Sequence, residues 1–155
     1  MRLLLKFLHT LAGAGLTGAL AAMAIVLALA PGLRAGADNL PVLLALSEIA
    51  VWILAPSLVL TILTGLLAMI LTRGFQDAGW VWLKAATGFL MLEGGLQVIG
   101  PFQEGAKRVG ALAASDPASA ARLFEAQANT LWVLLGVAIA NIALGVWRPR
   151  FKYPV

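Results

Sequence analysis

The sequence predicts an all-α polytopic membrane protein, a four-helix bundle with a helical hairpin extension between the third and fourth helices. Three observations predict it. Of 155 residues, 61% are hydrophobic and 12% charged, against about 45–50% and about 25% in soluble globular domains. The apolar residues gather into four runs of 28, 32, 22 and 18 residues, where a span takes ~20 to cross a ~30 Å hydrocarbon core. Basic and aromatic side chains sit at the ends of those runs, where headgroups accept them.

The first run extends from about Leu3 to Ala30 and ends at a polar, turn-rich segment holding Gly32, Arg34, Gly36 and Asp38. Arg2 and Lys6 ahead of it, with Ala28-Leu29-Ala30 behind, imitate a secretory signal. The apolar stretch is too long for the 7 to 15 residues of a signal h-region, and Pro31 obstructs cleavage, so a spanning helix is expected. The second run covers 41–72 and stops at Arg73-Gly74, before a turn at Gln76, Asp77 and Gly79. Pro56 lies inside it, where a proline deletes its own donor, frees the carbonyl of Trp52 and bends the helix.

The third run covers 80–101, entered through Trp80 and Trp82 and ended by Gly100-Pro101. Residues 102–129 are more polar. Ser115-Asp116-Pro117 reads as an N-cap with proline in the first turn, and the alanine-rich flanks favour helix on both sides. A helical hairpin turning near Ser115 and projecting from the membrane is expected. The fourth run covers 130–147, bracketed by Trp132 and Trp147. The chain is thus read as a single transmembrane domain, 1–155.

With four crossings and a cytoplasmic N-terminus, seven basic residues face the cytoplasm (Arg2, Lys6, Arg73, Lys84, Arg148, Arg150 and Lys152) and four face away (Arg34, Lys107, Arg108 and Arg122). The excess of Lys and Arg predicts both termini inside. The net charge of +4 is therefore topological, and nucleic acid is not expected as a partner. Small residues recur at helical spacing: Gly13, Thr17 and Ala21 on one stripe of the first helix, Ala14, Gly18 and Ala22 on the next, and Gly136 with Ala140 on the fourth. In lipid, close backbone approach rewards association. Packing within the chain is the plain expectation, and a homodimer face or a membrane protein partner the sharper one.

A carboxylate inside a spanning helix marks a functional site by default. Glu48 lies seven residues past Pro41 and Glu93 eight before Pro101. Counted from those ends they reach similar depth and could share a proton, as a proton or cation site. The plainer reading is a Glu93 carboxyl that faces the bundle and fixes helix packing. Lys84 is expected to snorkel to the inner headgroups.

His9 near the start of the first helix is a candidate haem ligand, with Met69 at roughly matching depth to complete a His/Met pair, or with His9 of a second chain. A hydrogen-bonded or interfacial histidine is the bland alternative. Met23, Met69 and Met91 differ in depth and form no copper cluster, so no metal site is expected. The chain has no cysteine, which removes thiolate metal sites and thiol nucleophiles. No nucleophile-base set appears, and Gly13-Ala14-Gly15-x-x-Gly18 copies a dinucleotide fingerprint in letters only, with no preceding strand. An enzyme is not expected, and no cofactor beyond haem b.

Leu5-Lys6-x-Leu8-His9 opening the first helix, with Trp52, Pro56 and Thr64-Gly65 in the second, resembles the bacterial predicted integral membrane proteins grouped as domain of unknown function 2269, similar in layout to CopD-like four-helix membrane domains. The resemblance covers about the first half of the chain. It implies a small bundle of the bacterial inner membrane without an established activity, and it transfers no catalytic residue.

Overall fold

The protein is described by a computed structural model covering residues 2–29, 40–72 and 78–147. The turn segments 30–39 and 73–77 and the basic tail at Arg148, Arg150 and Lys152 lie outside the described residues. Among those described there is no β-strand, and the chain forms four helical rods.

The first rod is α1 (Arg2–Leu29), matching the first apolar run. The second consists of α2 (Leu40–Ile49), a π-helical turn (Ala50–Leu54) and α3 (Ala55–Leu71). The perturbation expected at Pro56 takes the form of this π turn. The Ala55 N–H donates to the Ala50 carbonyl, five residues back, and Pro56 occupies the first turn of α3, where its missing donor is least costly. The wider turn also serves packing. Leu46, Ala50, Leu54 and Leu58 are all buried at intervals of four, which in a pure α-helix would drift by roughly 120° from first to last. Inserting a π turn offsets most of that rotation and keeps the four side chains on one face.

The third rod is α4 (Gly79–Ser115), which continues through Gly100-Pro101 instead of ending there. The fourth is α5 (Pro117–Trp147). Only Asp116 separates the two helices, at the Ser115-Asp116-Pro117 signal.

The rods form a ring of four. α1 packs on α3 and α5, and α4 packs on α2, α3 and α5, while α1 does not meet α4 among the described residues. Close approaches set an antiparallel register. Gly15 sits against Ser57, Gly95 against Leu58 and Gly94 against Leu134; a Cβ at these glycines would come within 2.6, 2.6 and 2.5 Å of those side chains. The core is built from Leu20, Met23 and Ala24 of α1, Leu46 to Leu58 of the second rod, Met91 and Val98 of α4, and Leu131 and Leu134 of α5.

Of the two small-residue stripes on α1, Gly13, Thr17 and Ala21 are half-buried at the edge of the packing face and Ala14, Gly18 and Ala22 are exposed, while Ala12, Leu16, Ala19, Leu20, Met23 and Leu27 point inward. A Cβ at Gly13, Gly18 or Gly136 would meet nothing.

Among the described residues three helices are long and apolar enough to cross a membrane: Leu3–Leu29, Leu44–Leu71 and Glu125–Trp147. α4 is not among them, in contrast to the four equivalent runs expected. Lys84, Glu93, Gln97 and a Gly94-Gly95 pair dilute its apolar content.

Candidate functional site

Two polar regions stand out in this apolar ring. One is internal, at the end of the bundle where α1 begins and α3 ends. His9 Nδ1 lies 2.9 Å from Thr64 Oγ1. The Thr64 hydroxyl is 2.6 Å from the Leu60 carbonyl and 3.2 Å from that of Thr61. The His9–Thr64 bond joins the two side chains, its donor and acceptor set by the tautomer of the ring. Gly65 gives the ring room: a Cβ there would stand 3.4 Å from His9 Cε1. The Thr61 hydroxyl, one turn earlier, is buried without a hydrogen-bond partner among the described residues.

At the same level α4 and α5 are joined by a second set of bonds. Asn141 Nδ2 donates to Thr87 Oγ1 at 2.7 Å and to the Lys84 carbonyl at 3.1 Å, while the Thr87 hydroxyl donates to the Lys84 carbonyl at 2.9 Å. Lys84 reaches across to the last turn of α5, where a Cβ at Gly145 would come within 2.8 Å of its Nζ. All four rods thus contribute to one polar layer. Asn141 was absent from the sequence-derived residues, although an amide alone in the run 130–147 carries the same signal that singled out Glu93.

Met69 lies one turn beyond Gly65 on α3, and it is half-buried with contacts of its own. Among the described residues no group of three or more His, Asp or Glu side chains is arranged to hold a metal.

The other polar region is external. Glu93 is exposed, and so is Glu48, which corrects the expectation that Glu93 faces the bundle. Nor are the two brought together. Gly95 of α4 sits against Leu58, ten residues beyond Glu48 on the second rod, so the two carboxyls are separated by on the order of 15 Å along the bundle axis. Counting depth from Pro41 and Pro101 fails because α4 runs on past Pro101. The depth of Glu93 itself follows from its neighbours. Leu58 is fourteen residues past Leu44 and thirteen before Leu71, the middle of that apolar helix. Glu93 is two residues from Gly95, about 3 Å along the axis, and so lies level with the middle of a helix suited to cross a membrane.

No protein family, curated protein or solved structure matches this chain.

Proposed function

We propose that this chain is a non-enzymatic accessory protein of a bacterial inner membrane, which works by holding another membrane-embedded helix against the outer face of α4. In this reading all four rods cross the bilayer, both termini are cytoplasmic, and the ends of α4 and α5 near Asp116 project on the opposite side. The crossing of α4 is supported by register, because its residues from Lys84 to Val98 lie alongside the apolar stretches of α3 and α5. At ~1.5 Å per residue its 37 residues extend well beyond a ~30 Å hydrocarbon layer.

The carrying observation is the exposure of Glu93 at mid-depth. On insertion scales an acidic side chain at the centre of a spanning helix costs about 2.5–3.5 kcal/mol, and such residues nearly always face protein or a water-filled cavity. An outward Glu93 is accounted for when a second protein surface covers it. The conduit reading needs Glu93 and Glu48 on a shared path, and their separate exposed positions give it less support. The haem reading takes His9 as one ligand, with Met69 or a second His9 as the other.

The test is photo-crosslinking in native membranes from a benzophenone side chain at Leu96, on the exposed side of α4, with Val133 on the exposed side of α5 as control. Protein adducts from position 96 are expected. Lipid adducts alone from that position contradict the proposal.

A further inference from the structure

The charges of this chain are concentrated at one end of the bundle. The end where α1 begins and α5 finishes holds seven of the eleven basic residues and only Asp77 of the seven acidic ones, a surplus of six, while the rest of the chain carries four basic against six acidic. Antiparallel register draws that end together. The His9–Thr64 bond sets the start of α1 beside the last turns of α3, and the bond from Asn141 to the Lys84 carbonyl sets the start of α4 beside the last turns of α5. Lys6 is exposed on α1. Lys84 extends over Gly145, where a Cβ would come within 2.8 Å of its Nζ. Arg148, Arg150 and Lys152 follow α5 in the sequence.

The same two turns of α5 form a groove. Ala140, Ala143, Leu144 and Trp147 line a wholly apolar hollow of about 330 Å³, open to the outside of the bundle. Leu134 faces Gly94 near mid-depth, so the groove begins at Ala140 about 9 Å from the middle and ends at Trp147 about 20 Å from it. One leaflet contributes about 15 Å of hydrocarbon. The groove thus starts among acyl chains and ends at headgroup level, where an exposed indole such as that of Trp147 settles.

We infer that this end of α5 binds an anionic phospholipid of the adjoining leaflet, one acyl chain lying in the groove and the phosphate drawn to Lys84 and to the charge of the segment after Trp147. The inference goes beyond the docking role of α4 and stands apart from it. Charge complementarity selects the headgroup: a phosphodiester without an amine is a net anion, whereas a zwitterionic headgroup brings an ammonium that the basic surplus repels. Depth selects the lipid. A soluble acidic partner can reach the basic residues from the aqueous side, but the groove opens within the hydrocarbon, where acyl chains are the available occupant.

Native mass spectrometry of the full chain in mild detergent, titrated with phosphatidylglycerol or with phosphatidylethanolamine of the same acyl chains, reads the affinity for each. Phosphatidylglycerol is expected to be held more tightly. Lys84→Gln is expected to weaken its binding roughly fivefold, and Lys84→Arg to restore it. Arg148→Gln, in the segment after α5, should repeat the loss while leaving the contact between Lys84 and α5 in place. Ala143→Leu, which fills the groove, is expected to weaken binding as well, and Lys107→Gln, from the opposite end, to change nothing. Equal affinity for the two lipids overturns the anionic preference. An equal loss in Lys107→Gln shows diffuse attraction in place of a site. Wild-type binding by Ala143→Leu overturns the seat in the groove, and displacement of the lipid by inorganic phosphate, but not by chloride at equal ionic strength, assigns the charges to a free anion instead.

Discussion

His9 Nδ1 and Thr64 Oγ1 are 2.9 Å apart and join α1 to α3, fixing the register of two rods that otherwise meet through apolar side chains. Thr64→Val keeps the shape and removes the hydroxyl, and it is expected to cost about 0.6–1.7 kcal/mol, the range for interhelical bonds in membranes. A double-mutant cycle with His9→Ala, read by steric-trap unfolding in bicelles, should recover a coupling of that size. Independent single effects that simply add would show that the bond contributes nothing.

Asn141 is predicted to matter as much on the opposite side of the ring. Asn141→Leu removes both donations, to Thr87 Oγ1 and to the Lys84 carbonyl. The same unfolding measurement should show a loss of about 1 kcal/mol. Thr87→Val should leave little further effect in the Asn141→Leu background, since the two side chains share the bond.

Glycines along α4 should divide by surroundings. Leu134 and Leu58, which face Gly94 and Gly95, are 4% and 2% exposed, so neither has free space to retreat into. Gly94→Ile and Gly95→Ile are expected to destabilise by about 1–3 kcal/mol through overpacking. Gly88 and Gly100 face open space, and Gly88→Ala should be neutral or slightly stabilising because alanine favours helix. Equal effects at Gly94 and Gly88 would contradict the packing described.

Much of the fold was legible in the residues. Apolar runs at 3–30 and 41–72 correspond to α1 and to the second rod within a residue or two at each end, because Pro, Gly and charged residues punctuate a chain that is otherwise uniformly apolar. The Ser115-Asp116-Pro117 signal marked the one-residue break between α4 and α5. Facing was not legible. Lipid and protein core are equally apolar, so a spanning helix shows little of the hydrophobic contrast that orients a helix in water, and nothing in the sequence set the outward direction of Glu93. The π turn was hidden for a related reason: its trace is four-residue spacing at Leu46, Ala50, Leu54 and Leu58, within a run where nearly every residue is apolar. His9 and the Thr64-Gly65 pair were both noted, but their meeting is set by antiparallel register, which the turn at 30–39 does not encode in readable form.

Sidedness of the two ends of the second hairpin tests the four-crossing bundle most directly. Thr72, at the C-cap of α3, and Ser115, at the last residue of α4, each replaced singly by cysteine, are probed in intact cells with a membrane-impermeant maleimide. Ser115→Cys should label without permeabilisation and Thr72→Cys only after it, because α4 crosses between them. Labelling of both from the same face would mean that α4 does not cross, and would remove Glu93 from the middle of the bilayer.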